Sequence, residues 1–363
     1  MTDIPEISEQ LNVLSGGVKS AKRLSQKKAV QVVPTEFVGM NRAGKIGGLS
    51  APSITTVYGP SGEGKSVFVF GLIADFQRQN HLAALVDAEF TADLEFADYC
   101  GVDPDRLLYL QPTTYENTVK EIEKIINNFK DGKKKGKIHP NTVLLLAIDS
   151  VSKLIPANEL AKLGKKDRSF PLRAAMNSAW MDKLNVDIHD DSIHIVLVAH
   201  EKKTLDASPF EEQTHVKGGD ALIYESRQQI RINVKKRLKE EIGGKKVQIG
   251  KVHRGLIKKN KLGAEGGEFY FIVTNEFSEN GIGFDRVLEV MEECKLRDKQ
   301  SICRRKVGAV WVWDRLPDGK LKGDSNFEEL LRSDPELLEN LTKDLNDTAG
   351  SVKLQVDEEQ EDE

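Results

Sequence analysis

Apolar, β-prone runs recur through the first two thirds of the chain: ITTVY (54–58), LAALV (82–86), LLYL (107–110), VLLLAI (143–148) and IVLVA (195–199). Near-continuous runs of this kind suit parallel strands buried on both faces. Between them the spacing turns helical. VFVFGLIADFQRQN follows residue 66, TADLEFADYCGVD reads as a helix ending before Gly101, and LRAAMNSAWMDKLNV precedes the run that ends in His200. In YENTVKEIEKIINNFK (115–130), Val119, Ile122, Ile125, Ile126 and Phe129 share one stripe. The alternation of strand and helix predicts an α/β fold with a mostly parallel central sheet. QIRINVKK, KVQIGKVHR and EFYFIVT add strands, and GLIKKNKLGAEGG lies between the last two.

The pattern changes after about residue 280. GFDRVLEVMEECKL and DSNFEELLRSDPELLENLTKDLNDTA are amphipathic helices around AVWVWD, which predicts a small C-terminal α+β domain. The expected division is an N-terminal arm or oligomerisation element (1–31), an α/β core (32–279), the small domain (280–345) and an acidic disordered tail (346–363). LNVLSGGVKSAKRLSQKK in the arm is amphipathic but broken by Gly16-Gly17. It reads as a short helix docking on a partner or as a mobile arm.

With 363 residues, 39% of them apolar, the chain can bury a large core. Its three cysteines form no C-x-x-C, so neither a disulfide framework nor a cysteine zinc site is expected, in keeping with a reducing cytosol. The first thirty residues do not read as a signal peptide and no stretch of 18 apolar residues occurs, so the expectation is a cytoplasmic protein without a membrane span. The net charge is −4, but its distribution matters more. Lys235–Lys261 holds nine Lys, two Arg and two acids, whereas the last seven residues, DEEQEDE, hold six carboxylates. The tail competes with a polyanion for the basic face, or it only solubilises the chain.

The chemistry concentrates at Gly59-Pro60-Ser61-Gly62-Glu63-Gly64-Lys65-Ser66, a full match to G-x-x-x-x-G-K-[ST] between a strand pattern and a helix pattern. Glycines let successive N–H groups face an anion, Lys65 reaches the β/γ-phosphates of ATP, and Ser66 offers its hydroxyl to Mg²⁺. The helix N-terminus adds its positive dipole end. Three other strand ends carry polar groups. Asp149 suits a carboxylate that holds Mg²⁺ directly or through water, or a capping Asp. Glu89 is placed to deprotonate the attacking water, with Asp87 as a weaker rival or support. His200 is placed to bond the γ-phosphate and report its loss to the loop at 205–219, or is simply structural. That loop (Phe210, Lys217, Gly218, Gly219) and residues 158–171 (Lys165, Lys166, Arg168) mix charge with occasional aromatics. They suit single-stranded nucleic acid, or they are ordinary surface loops.

Together these segments resemble the RecA recombinase family, and the compact form looks close to the UvsX-type phage recombinases. The resemblance is carried by GPSGEGKS, VDAEFTADLEFADYCGVDPDRLLYLQP, VLLLAIDSVSKLIP, THVKGGDALIYESRQQIRI, LIKKNKLGAEGGEFYFIV and NEFSENGIGFDRVLEVM, over about residues 32–340. It implies a RecA-like phosphate-loop ATPase core, assembly as helical filaments on single-stranded DNA, homologous pairing with double-stranded DNA, and ATP between protomers. Single-strand-binding and mediator proteins become expected partners. By the same resemblance Glu89 falls at the catalytic glutamate and Asp149 at the Walker B aspartate. Phe96 falls where an aromatic packs near the adenine, with Asp93 as an adenine-side contact. Lys259 and Lys261 fall at the lysines that reach the neighbouring subunit's ATP, and 158–171 and 205–219 at the two DNA loops. His200 stands where bacterial members carry glutamine, and the first DNA loop shares little with theirs. Imidazole can carry charge where the amide cannot. A ring-forming helicase and an ATP-switched scaffold without strand exchange are the alternatives; the short arm disfavours the first, and intact Glu89 and Lys65 the second.

Overall fold

The chain enters through β1 (Gln31–Val33), the buried helix α1 (Val38–Gly44) and β2 (Leu49–Ala51). The computed structural model describes residues 31–161, 170–189, 191–203, 214–219, 221–297 and 302–348. Tertiary contacts divide the chain after Gln31, and Val32–Glu363 forms one unit.

β3 (Ser53–Gly59) is buried at every residue because it runs through the middle of a ten-stranded sheet. The strands that follow are β4 (Leu82–Asp87), β5 (Leu107–Leu110), β6 (Leu144–Asp149), β7 (Ile193–Lys203), β8 (Thr214–Val216), β9 (Gln228–Ile242), β10 (Lys245–Asn260), β11 (Glu268–Thr274) and β12 (Gly283–Phe284). Their order across the sheet is β12-β11-β10-β9-β3-β7-β6-β4-β5, with β8 paired to β7. β5, β4, β6, β7, β3 and β9 are mutually parallel, and the far edge turns antiparallel. The parallel sheet expected from the apolar runs is present.

Alternation within those runs feeds two cores. Leu145, Ala147, Val196 and Val198 face α1 and α2 (Lys65–Arg78); Leu144, Leu146, Ile148, Ile195 and Leu197 face the opposite layer. α3 (Leu94–Tyr99) follows β4, and the opposite layer is α4 (Tyr115–Lys134) and, after α5 (Ala157–Leu160), α6 (Phe170–Ile188). On α4 the stripe buries Ile122, Ile126 and Phe129, and Thr114 caps its start by accepting from the Asn117 N–H at 3.2 Å. Each such apolar side chain, fully buried, contributes about 1.5–3 kcal/mol. α7 (Ala221–Tyr224) leads into β9.

Beyond β12, α8 (Arg286–Leu296), α9 (Asp324–Ser333) and α10 (Pro335–Asp347) surround a small sheet of β13 (Arg304–Lys306), β14 (Val310–Val312) and β15 (Lys320–Lys322). Their core centres on Trp311, stacked on Phe327 at 4.2 Å, with Trp313 beside it. Val38 of α1 belongs to the same cluster, and Arg42 grips Glu293 at 2.5 and 3.1 Å. The α+β character expected of this region is therefore present, fastened to the rest by a buried ion pair.

Two segments differ from expectation. β7 reaches Lys203, as the strand pattern over 194–203 expects, but its end pairs with β8 (Thr214–Val216), inside the segment 205–222 that was expected to be loop. β10 continues through Gly255–Asn260, so Lys259 lies in a strand; pairing along the whole hairpin with β9 extends it.

Candidate active site

Parallel strands release their carboxyl ends on one side of the sheet, which is where ligands bind in such folds. Gly59 lies level with His200, and Asp87 with Asp149. A cavity of about 430 Å³ opens there, lined among others by Ser61, Gly62, Gly64, Lys65, Ser66, Glu89, Phe96, Asp149 and His200.

The phosphate loop needs glycine at 64 for two reasons. Its φ is +93°, and a Cβ would stand 2.5 Å from the His253 ring. Gly64 is also the N-cap of α2, so the first N–H groups of that helix open toward the cavity. Lys65 folds back on the loop, donating to the carbonyls of Gly59 (3.1 Å) and Pro60 (2.6 Å). Burial lowers its pKa against the pull of Asp149, Glu89 and Glu63. Glu63 braces the loop from the side: its carboxylate accepts from the Val234 N–H and its carbonyl accepts from His253 Nδ1 at 2.9 Å. His253, stacked on Phe271 at 4.7 Å, is held down at about 4 by burial, so it is neutral near pH 7.

Glu89 is the most constrained acid of the site. One oxygen, Oε1, accepts from both Ser150 Oγ and His200 Nε2, each at 2.5 Å. The His200 bond, opposed by burial and helped by Ser150, holds its carboxyl down at about 2. Among the described residues no hydrogen bond is recorded to Oε2. The neighbouring Asp87 has a different task. It accepts from the N–H groups of Glu89 and Ala92 (3.1 Å each), from Tyr109 Oη (2.8 Å) and from Gln111 Nε2 (3.3 Å). It shapes the turn that presents Glu89.

Asp149 is pushed up to about 6 by burial, against a hydrogen bond from Ser66 and with the Glu89 charge adding to the rise. A hydroxyl and an enclosed carboxylate already in contact fit Mg²⁺, which takes one or two protein ligands and completes its shell with phosphates and water. The described residues hold no cluster of three or more His, Cys, Asp or Glu, so a metal held by protein ligands alone is not built here.

Phe96 lines the cavity; Asp93 instead caps α3, accepting from the Phe96 N–H at 3.0 Å. Lys259 and Lys261 are not at this chain's own phosphate loop. Lys259 pairs with Gln229, which is level with Thr56, so it sits roughly 10 Å below Gly59 and two strands away. Its Nζ donates to the Tyr224 carbonyl at 2.7 Å, and the Lys261 N–H donates to Arg227 O at 2.9 Å.

Of the DNA-loop candidates, Lys165, Lys166, Arg168 and Phe210 lie outside the described residues. Lys217, Gly218 and Gly219 line a second cavity of about 440 Å³ together with Arg173, Asn177 and Lys202. Burial lowers the Lys217 pKa, and Lys202, Lys153 and Arg173 lower it further, the mark of crowded positive charge. Asn177 Nδ2 donates to Gly218 O at 2.6 Å.

Sequence reasoning missed Ser150, Ser152 and His253. The two serines directly follow Asp149, so their closeness to a candidate ligand was the available signal. Nothing local marked His253, which reaches the loop through strand pairing.

Comparison with known proteins completes the picture. The model of the RecA N-terminal domain matches residues 12–271. The chain is 27% identical over 340 residues to Protein RecA of Nautilia profundicola, covering 92% of this chain and 88% of that protein. It is 27% identical over 323 residues to Protein RecA of Oleidesulfovibrio alaskensis (87% and 82%) and 26% over 330 residues to that of Roseiflexus castenholzii (90% and 85%). With its phosphate loop, its strand-end carboxylates and a family match over most of its length, the chain belongs to the RecA family.

Proposed function

We propose that this chain is a DNA-dependent ATPase that polymerises on single-stranded DNA as a helical filament and pairs it with homologous double-stranded DNA. ATP binds over the phosphate loop with its phosphates against the N-terminus of α2, and Ser66 and Asp149 hold Mg²⁺, whose contribution is to neutralise phosphate charge. Glu89, anchored through Oε1, presents Oε2 to the attacking water. Lys65 leaves the loop carbonyls for the phosphates. Hydrolysis is then a matter of position and charge, without a covalent intermediate. The crowded cations at Arg173, Lys202 and Lys217 receive DNA phosphates, which relieve their mutual repulsion.

The observation that carries this reading is a continuous bonded path. Glu89 meets the His200 ring at 2.5 Å, and the His200 carbonyl meets the Lys217 N–H at 2.8 Å, where the second DNA loop returns. A phosphate site joined in this way to a basic loop root suits an ATPase that times a grip on DNA. The distance of Lys259 and Lys261 from their own phosphate loop supports a site shared between protomers, each supplying half. His200 favours the phage branch of the family.

Electron microscopy of the protein with single-stranded DNA and a non-hydrolysable ATP analogue tests the assembly. Open helical filaments are expected; closed hexameric rings would overturn the filament reading in favour of a translocating helicase.

A further inference from the structure

We propose that Ser152 is a positioning residue that links occupancy of the DNA loop to the Glu89–His200 pair; the inference rests on the DNA-dependent ATPase reading above. Ser152 sits on a single 3₁₀ turn, Val151–Lys153, which starts immediately after Ser150. The turn and its cap grip two different things. Ser150 Oγ donates to Glu89 Oε1 at 2.5 Å. Ser152 Oγ accepts from the His200 N–H at 2.9 Å and donates to Lys217 O at 2.8 Å.

The Lys217 N–H returns to His200 O at 2.8 Å, which closes a ring of three bonds among Ser152, His200 and Lys217. Here β7 leaves the main sheet and runs on as a two-stranded ribbon with β8, Glu201 opposite Val216 and Lys203 opposite Thr214. The ring is therefore the root of that ribbon. It is also the point where the ribbon is pinned to the turn after β6.

The hydroxyl is buried, at 4% exposure, and both its donor and its acceptor capacity are engaged. If the ribbon shifts, both bonds fail together and a buried hydroxyl is left unpaired, so displacement is resisted until the turn moves too. Because Ser150 caps the same turn, its carbonyl accepting from the Lys153 N–H at 3.0 Å, movement of the ribbon root reaches Glu89 by two routes: through the His200 ring and through Ser150. Lys217, Lys202 and Arg173 surround the root, so a bound polyanion acts on it directly. Ser152 itself touches neither nucleotide nor the reacting atoms; it sets where His200 stands.

The test compares wild type, Ser152→Ala and Ser152→Thr by steady-state ATP turnover with and without saturating oligo-dT. In wild type, DNA raises kcat. Ser152→Ala is expected to cut the ratio of DNA-stimulated to DNA-free kcat about fivefold or more, the worth of a lost hydrogen bond, with KM for ATP within about twofold. Ser152→Thr, which keeps the hydroxyl and has the adjoining cavity for its methyl group, restores most of the ratio. A wild-type ratio in Ser152→Ala overturns the inference. Absence of DNA stimulation in wild type overturns the ATPase reading beneath it, and the inference with it. If Ser152→Ala does not fold, hydrogen exchange of the wild type decides: the His200 and Lys217 amides change protection on adding oligo-dT with a non-hydrolysable ATP analogue, and unchanged protection overturns the link.

Discussion

Replacing Glu89 with glutamine isolates the chemistry from the architecture. The amide oxygen can accept from Ser150 Oγ and His200 Nε2 as Oε1 does now at 2.5 Å, and the side-chain volume is kept. Each bond falls from charge-assisted to neutral, a loss of about 1 kcal/mol apiece. Against this, burial no longer opposes a charge at position 89, and the Glu89 repulsion that adds to the burial-driven rise of Asp149 disappears. The carboxyl is held low even against burial, so the bonds outweigh the burial cost and a net destabilisation of about 1–2 kcal/mol is expected. The reaction loses its proton acceptor, which is worth about 10²–10⁴-fold, or roughly 2.7–5.4 kcal/mol of barrier. Single-turnover hydrolysis on oligo-dT gives the rate, a fluorescent nucleotide analogue gives affinity, and electron microscopy shows whether filaments persist. The expected outcome is slow turnover, affinity within about threefold, and long-lived filaments. Turnover within tenfold of wild type would refute Glu89 as the base. Asp87→Asn is the contrasting control: four donors converge on that carboxylate, so it is expected to lower the melting temperature as well as the rate.

The remaining expectations concern other parts of the site. Lys259→Ala with Lys261→Ala should abolish DNA-stimulated hydrolysis at high protein concentration while nucleotide binding by dilute protomers persists; unchanged stimulated turnover would rule out a shared site. Asp149, raised from 3.8 to about 6, binds its proton more tightly folded than unfolded, so its contribution to stability falls as pH rises from about 4 to about 6. Added Mg²⁺ with nucleotide should therefore raise the melting temperature more at pH 7.5 than at pH 5, and an equal rise at both would remove Asp149 from the metal site. Gly219 has φ +101°, and a Cβ there would meet the Ala174 Cβ at 3.0 Å, so Gly219→Ala should weaken oligo-dT binding and cost about 1–2 kcal/mol in denaturant unfolding. Deleting the final seven residues should tighten DNA binding mainly at low salt, and equal binding there would leave the tail a solubilising role.

Much of the site is local, and local chemistry can be read along a chain. Gly59–Ser66 carries its own geometry, because the backbone that cradles a phosphate and the side chains that reach it are contiguous. Asp149 and Glu89 were legible for a related reason: strands of a parallel sheet all end on one side, so an acid just past an apolar run lies at the ligand level whichever strand it follows. What stood outside the sequence was lateral order. His200 and Ser150 converge on one oxygen of Glu89 only because β7 and β6 run side by side next to β4, and spacing along the chain carries no such information. For the same reason His253 behind the phosphate loop, Lys259 level with the middle of β3 and Ser152 at the ribbon root are products of strand pairing between distant segments. The pairing of the end of β7 with β8 and the extension of β10 through Asn260 have that cause too: segments rich in basic residues become strand when a partner strand satisfies their backbone N–H and C=O groups. The sequence by itself thus determined the phosphate-loop motif and the end of the sheet at which its acids lie. The tertiary structure alone decided which of them touch, because contact depends on the order in which strands lie together.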